Sequence, residues 1–367
     1  MERRDFLKKG ALAAAILSTA GLTACRRRDP FAETSGSSAS GEYADWKMVT
    51  AWPPNFPVYS ELLHEFAELV KSMTGGRFII TVYAGGELVP PLEGFDAVRQ
   101  GTAQLCHDAS YYHSGKIPAA QFFTAIPFGL NTNQMYAWLY YGGGLKLWEE
   151  LYAGYGLFPI PSGNTGGQMG GWFRKEINSV KDLDGIKMRI PGIGGRVMSK
   201  LGVATVLASA AESYTNLERG VIDALEWVGP YHDYKMGFNR IAKYYYYPGW
   251  QEPCGQTELV VNKSAYDSLP KDYQAVLSAA ADYLDQRITA MFFAKNAEYY
   301  RVIKDEGKTV FKKFSDDTLA ALREKTAEVL DEIVSKDPAS KKIYDSYKTF
   351  QKSVTEFNAL SEINYIP

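Results

Sequence analysis

The sequence predicts an α/β protein of two lobes, with a ligand cleft between them, hinge crossings and a long C-terminal helix. Three observations carry that reading. Strand-like and helix-like patterns alternate across residues 50–112 and again across 185–229. A glycine-rich stretch, FPIPSGNTGGQMGGWF (158–173), joins the two series. From Leu269 onward the pattern is helical almost to the end of the 367 residues. Alternation of strands with helices implies a parallel sheet in each series, and about 320 residues are enough for two lobes.

In chain order, TAW (50–52), RFIITVYAGG (77–86) and AQLCHDASYY (103–112) read as the first strands. Between them lie amphipathic helical patterns at 57–76 and 91–101, each closed by glycine. The second series runs GIKMRI (185–190, strand), GGRVMSKLG (194–202, helix), ATVLA (204–208, strand), ESYTNLERG (212–220, helix) and VIDALEWVG (221–229, strand). The glycines of 158–173 can absorb backbone rotation at little steric cost, as a hinge requires. YYYYPGWQEPCGQTELVVNKS (244–264) reads as a return crossing to the first lobe. Lobe 1 is therefore expected at 44–165 plus 256–300 and lobe 2 at 166–255, with helices over 301–367. The helix beginning near Pro270 could exceed about 30 residues, longer than a small lobe usually accommodates. Ile288, Met291, Phe292 and Phe293 give it apolar positions that look exposed. It is expected either to brace both lobes or to pack on a second copy as a homodimer.

The N-terminus, MERRDFLKKGALAAAILSTAGLTACRRRDP, joins a basic start to an apolar segment about half the length of a bilayer span. That is the pattern of an export signal. Arg3-Arg4 before Phe6-Leu7-Lys8 resembles the twin-arginine motif, although Glu2 stands where Ser or Thr is usual. Leu22-Thr23-Ala24-Cys25 looks like a lipoprotein processing box, with Cys25 as the acylated residue of a lipid anchor. Residues 26–43 are polar and small, a tether with nothing to bury. The whole chain carries a formal charge of −2, and removal of the leader leaves it mildly acidic. Without long basic runs, no nucleic-acid partner is expected. Four histidines, none clustered with cysteine, argue against a zinc enzyme. Cys106 and Cys254 remain in the mature chain, and spacing alone leaves their pairing open. Two lobes, crossings and an export leader describe a periplasmic binding protein, which holds a small ligand at the lobe interface and closes over it.

VIDALEWVGP (221–230) places Glu226 in the middle of an apolar run. A carboxylate there is costly unless a cation or a set of donors meets it. Either the strand is an edge strand with one wet face, or Glu226 has a partner.

The run GIKMRIPGIGGRVMSKLGVATVLASAAESYTNLERGVIDALEW resembles the substrate-binding component of tripartite ATP-independent periplasmic (TRAP) transporters. The resemblance extends over essentially the whole mature chain. Glu226-Trp227 and the Trp250-Gln251-Glu252-Pro253 turn look like the branch that binds 2-oxo or 2-hydroxy monocarboxylates such as pyruvate or lactate. Tyr214-Thr215-Asn216-Leu217 departs from the family, which more often has Pro before this helix. The resemblance implies that Arg189 clamps the ligand carboxylate, as its planar fork suits. It also implies that Glu226 helps hold a metal ion, Na⁺ or Ca²⁺, that takes oxygens of the bound acid. Gln168, the Trp227 carbonyl, and Glu252 or Gln251 would complete that shell, since hard cations favour oxygen ligands. A direct hydrogen bond from Glu226 to a substrate hydroxyl, without metal, is the alternative. Lobe 1 should add Phe56, Tyr111 and Tyr112 from its strand ends, with Asn164 before the hinge as a weaker contact. The partners implied are a small organic acid and the membrane subunits of a TRAP transporter.

No Ser-His-Asp order, activated cysteine or metal-hydrolase motif is present in the sequence. A transport receptor is therefore expected, ahead of a ligand-sensing periplasmic lipoprotein or an exported carboxylate-processing enzyme.

Overall fold

The computed structural model describes residues 43–361. The predicted leader, Cys25 and all of the tether except Tyr43 lie outside them. Two sheets organise the described chain. The first sheet is built from β1 (Ala44–Thr50), β2 (Phe78–Tyr83), β3 (Leu105–Asp108), β4 (Leu157–Asn164) and β10 (Gln256–Asn262). Its strand order is β2-β1-β3-β10-β4. The second holds β5 (Gly171–Phe173), β6 (Lys187–Arg189), β7 (Ala204–Val206), β8 (Ala224–Leu225), β9 (Tyr244–Tyr247) and β11 (Val310–Lys313), in the order β11-β9-β5-β8-β6-β7.

Neither sheet is purely parallel. β10 runs antiparallel to both β3 and β4, and β5 runs antiparallel to β8 and β9. β5 and β10 are the strands by which the chain first enters the second sheet and returns to the first, and each is inserted between two neighbours; β11, the last to join, runs parallel to β9. Strand limits differ from the sequence reading in the same informative way. The first strand is Ala44–Thr50 rather than 50–52, because Asp45 and Lys47 alternate with buried Trp46 and Met48 while Pro53-Pro54 forbid extension. β8 has only two residues, so Glu226 follows the strand instead of lying within it. Residues 310–313, expected to be part of a helical tail, add a strand to the second sheet beside β9.

The helices follow their apolar periodicity. α1 (Tyr59–Met73) buries Tyr59, Leu62, Leu63, Phe66, Ala67 and Val70, the i, i+3, i+4, i+7 stripe of a helix lying on a sheet. α2 (Gly94–Arg99) packs beside β3. α3 (Thr132–Tyr141), opened by an Asn131–Gln134 capping box, and α4 (Gly144–Ala153) were not foreseen from sequence. α5 (Gly192–Lys200), α6 (Ala210–Glu218) and α7 (Pro230–Lys235) dress the second sheet, and α8 (Lys263–Ser268) follows β10. α9 (Lys271–Asp305) is 35 residues long and touches α1 and β4 of the first lobe and α7 of the second. It is a brace: Ile288 and Phe292, which looked exposed in sequence, are fully buried by this bridging, Met291 is half-buried, and Phe293 is exposed. α10 (Asp316–Lys336) packs on α5 and on α11 (Pro338–Asn358), which returns to α3 and α4. Among the described residues no helix is long and apolar enough to cross a membrane.

The contact of α9 with β4 is unusually close at Gly163. This residue has φ +120°, and a Cβ there would lie 2.5 Å from Ile288 Cγ2. Its amide donates to Asp285 of the same helix. Gly163→Ala should therefore combine backbone strain with overpacking, a loss of about 2–4 kcal/mol. A urea midpoint unchanged from wild type would show that the brace yields freely at this point.

Candidate functional site

The chain passes between the sheets at 165–170 and again at 248–255, and the two segments lie side by side. Thr165 N donates to Gly255 O at 3.0 Å and Gln168 N to Glu252 O at 3.2 Å. Glycine is required on the return segment. A Cβ on Gly249 would stand 2.1 Å from Gln168 O, and one on Gly255 would be 2.8 Å from both Gln168 Nε2 and Thr165 Oγ1. This approach sets two predicted residues against each other: Gln168 Nε2 donates to Glu252 Oε2 at 2.8 Å and to Thr165 Oγ1 at 3.0 Å.

Arg189, Glu226 and Trp227 come from adjacent strand ends of the second sheet, because β6 and β8 pair in parallel with Arg189 opposite Leu225. Arg189 is buried, donating through Nη1 to the Glu226 carbonyl at 2.8 Å and through Nε to Ala208 O at 3.3 Å. Its Nη1 is also 3.6 Å from Glu226 Oε2, and its guanidinium lies 4.5 Å from the Trp227 ring centroid. The ring contact and the carbonyl fix the plane of the fork.

Between the lobes lies a tightly closed cleft of about 20 Å³, room for little more than one water-sized group. Of the predicted residues, Tyr111, Tyr112, Gln168, Arg189, Trp227 and Glu252 line it. Glu226 does not; it sits directly behind the wall, fully buried against Arg189. Phe56 is displaced from the cleft. It stacks on Trp52 and Tyr59 and meets Trp227 edge-on at 5.9 Å, so it packs the wall from outside. Asn164 is likewise occupied elsewhere, accepting from Thr132 Oγ1 and Gly166 N and donating to Gln256 Oε1.

The sequence reading did not single out Trp52, Tyr59, Thr124, Thr165, His232 and Thr257, which also line the cleft. Thr165 adjoins the hinge glycines and Trp52 lies two residues past the end of the first strand, so position alone could have suggested both. The others become neighbours only through long-range pairing. Trp52 is held rigidly: its Nε1 donates to His107 Nδ1 at 2.8 Å, and His107 Nε2 faces Ser162 O at 3.0 Å. Burial holds the His107 pKa down to about 4, so the ring is neutral and its tautomer set by those two contacts.

Acidic side chains outnumber basic ones here. One guanidinium faces two carboxylates, and burial drives the Glu226 pKa well above the carboxylate range, with Glu252 adding to it and Arg189 opposing. Burial also pushes Glu252 up to about 8, against Arg189 and Gln168. Four buried acceptor oxygens here have no hydrogen-bond partner: Gln168 Oε1, Gln251 Oε1 and both oxygens of Glu226. An acceptor-only set of carboxylate and amide oxygens suits a hard cation. Among the described residues the one group of three His, Cys, Asp or Glu side chains with metal-like spacing is elsewhere, at Asp108, His113 and Glu258. It lies within the first sheet, where Asp108 and Glu258 face each other across β3 and β10. Burial and Asp108 push Glu258 well up, while His113 holds Asp108 down despite burial. One carboxyl thus keeps its proton beside an ionised partner.

Residues 48–337 match the family described as bacterial extracellular solute-binding protein, family 7. A monocarboxylate 2-oxoacid-binding periplasmic protein of Nostoc sp. is 42% identical over 365 residues, covering 100% of this chain and 98% of the relative. A TRAP periplasmic solute-binding protein of Pseudoalteromonas atlantica, solved with bound sodium and pyruvate, superposes with a TM-score of 0.86 at 42% identity, covering 89% of this chain and 99% of that one. A TRAP transporter solute-binding protein of Bordetella bronchiseptica, a dimer with calcium and picolinate in one active site, gives 0.86 at 39%, covering 88% and 96%.

The loop after Trp227 is pinned by Asp233. Its Oδ1 accepts from Val228 N and Gly229 N, and its Oδ2 from Trp172 Nε1 at 2.9 Å and Tyr245 OH at 2.6 Å. Burial nevertheless pushes its pKa up to about 6 against all four donors. The folded protein therefore holds this proton more tightly than the unfolded chain does. The resulting stability is present below about pH 4 and is lost as pH rises through about 6, on the order of 3 kcal/mol. Urea unfolding between pH 4 and 7 should show that decline in the wild type and a flatter profile in Asp233→Asn. Parallel profiles for the two proteins would count against it.

Proposed function

The chain belongs to family 7 of the bacterial extracellular solute-binding proteins, and we propose that it closes over a small 2-oxo or 2-hydroxy monocarboxylate such as pyruvate or lactate. It then delivers that acid, in the periplasm, to the membrane subunits of a TRAP transporter. It is a transport receptor and not an enzyme. The observation that carries the ligand class is the buried fork of Arg189, aligned by Trp227 at the wall of a small cleft. A guanidinium in a dry pocket pairs bidentately with a carboxylate. Tyr111, Tyr112 and Trp52 close the opposite side, so that only a small acid could be enclosed, and only after the lobes part to admit it.

The partnerless oxygens of Gln168 and Glu226, with Glu252 beside them, fit a Na⁺ or Ca²⁺ ion, to which the Trp227 carbonyl could add a further oxygen. Such an ion would offset the carboxylate excess and attract oxygens of the bound acid. Pyruvate and picolinate, the ligands of the two solved relatives, share a carboxylate with a second donor on the adjoining carbon. That arrangement suits chelation of a hard cation. Gln168 is itself oriented by its amide nitrogen, which Glu252 and Thr165 hold, so that Oε1 is left as the acceptor.

Two finer readings come from sequence and from one relative. Arg3-Arg4 and Leu22–Cys25 support twin-arginine-type export with a lipid anchor on Cys25. The Bordetella relative's dimer, together with exposed Tyr141, Phe357 and Leu360 here, supports a homodimer. Light scattering at micromolar concentration should give twice the chain mass of the secreted form; a clean monomer removes the dimer.

Two binding measurements test the site. Arg189→Lys should weaken pyruvate binding by about 10–100-fold, since an ammonium cannot reproduce the fork. Near-normal affinity by calorimetry would make Arg189 a structural partner of Glu226 only. Exhaustive chelation, or replacement of sodium by choline, should reduce affinity sharply in the wild type and much less in Glu226→Gln. Loss with chelator identifies a divalent ion and loss with choline identifies Na⁺; wild-type binding unchanged under both treatments rules the ion out.

A further inference from the structure

The segment that leads from the first strand into α1 has an unusual backbone. Val58 has φ +68° and ψ −60°, and its side chain is fully buried. A β-branched residue at positive φ is a genuine outlier. The Tyr59 amide donates to Pro57 O at 2.8 Å, skipping one residue. Those dihedrals and that bond define a γ-turn of the rarer, strained hand. Asn55, three residues earlier, is also left-handed at φ +57°.

The turn presents the Pro57 carbonyl to the other lobe. His232, in α7, faces it through Nε2 at 2.8 Å. α7 moves with the second lobe, because the neighbouring Asp233 is tied to Trp172 and Tyr245 of the second sheet. The His232 ring fits among three rings of the other side: Phe56 at 4.7 Å, Tyr59 at 5.6 Å and Phe292 of the brace at 4.7 Å. Nδ1 has no partner, so the proton sits on Nε2 and is donated to Pro57 O. His232 and Tyr59 both border the ligand cleft. The contact thus crosses the cleft rim beside the ligand's place.

We propose that Phe56–Tyr59 and His232 form a latch between the lobes. His232 donates to the carbonyl of a strained turn and thereby sets the lifetime of the closed cleft, while the strain at Val58 favours reopening. Strained backbone persists only where its surroundings hold it, and here part of that hold comes from the opposite lobe. The hydrogen bond and the strain act in opposition: one slows release and the other speeds it. A receptor that must surrender its cargo to a transporter needs the closed state to be reversible, and this pair would tune it from the cleft rim, through Pro57 O and the backbone at Val58. The proposal rests on the reading of the cleft as a ligand site that closes.

Two substitutions separate the two contributions. His232→Phe keeps the ring packing and removes the donor. Val58→Gly removes the strain of positive φ, and Val58→Ala serves as its control because it loses the side chain without freeing the backbone. Stopped-flow tryptophan fluorescence would follow release of pyruvate from the sodium- and calcium-supplied protein. Release should be about 5–10-fold faster in His232→Phe, as for loss of one hydrogen bond, with little change in the association rate. It should be about 3–10-fold slower in Val58→Gly than in Val58→Ala. Equal release from Val58→Gly and Val58→Ala, or unchanged release in His232→Phe, overturns the latch. A ligand-free arm keeps the two readings apart. In small-angle scattering of the unliganded protein, His232→Phe should have the larger radius of gyration and Val58→Gly the smaller, compared with wild type and Val58→Ala respectively. If wild type fails to bind pyruvate, the ligand reading falls while scattering still decides the latch: identical radii across these variants reject it.

Discussion

One buried guanidinium organises the cleft. To serve the carboxylate proposed above, Arg189 must be held in place without being neutralised. The structure does this with a carbonyl, a ring face and a carboxylate at a distance, instead of a bidentate salt bridge. Nη1 is bonded to the Glu226 carbonyl at 2.8 Å and lies 3.6 Å from the Glu226 carboxylate. A bidentate Glu226 would consume the fork; a carbonyl orients it at no cost in charge. Glu226 is consequently left with two buried oxygens that accept no hydrogen bond, an expensive state unless another cation or a proton meets them. The same arrangement that frees Arg189 for an anion thus creates the demand for a second positive charge.

The crossings explain why the acceptor oxygens of Gln168 and Glu252 stand together. Two backbone segments can lie against each other only where side chains are absent, and Gly249 and Gly255 supply that absence. Their contact brings an amide and a carboxylate from positions 84 residues apart to 2.8 Å. The hinge is therefore also part of the binding surface. α9 adds the complementary constraint: it runs along both lobes, with Ile288 against Gly163 beside one crossing, so the lobes can rotate about the crossings but not drift apart.

Much of this was legible in the sequence where chemistry is local. Arg189 before Pro191, Glu226 beside Trp227, and the glycines around Gln168 each announce themselves by an expensive or permissive residue in an unexpected place. The Glu226 puzzle in particular survives in the structure: the residue is buried, beyond the end of a two-residue strand. What was not legible depends on distant pairing. Asn164 looked like a ligand contact beside the hinge but satisfies Thr132, Gly166 and Gln256, a network no spacing reveals. Phe56 looked like a wall of the cleft yet packs behind it, because the turn at Val58 swings Tyr59 inward instead. β11 was hidden in a helical tail, since VFKK owes its strand to pairing with Tyr244–Tyr247 and not to its own pattern. Tertiary context overrides local preference at these points.

The distribution of site residues over the fold also bears on how the cleft works. Tyr111 and Tyr112 follow β3 of the first sheet, whereas Arg189 ends β6 and Trp227 follows β8 of the second. Rotation about the crossings must separate these two sets. Gln168 and Glu252 behave differently, because they sit on the crossings themselves and are bonded to each other through main chain and side chain. Their mutual geometry survives such a rotation. The site therefore divides into a fixed part on the hinge, suited to a cation, and a part assembled only when the lobes meet, suited to the acid. An acid that touches both sets stabilises the closed form by its difference in affinity for the two states, the only means by which a ligand can shift such an equilibrium.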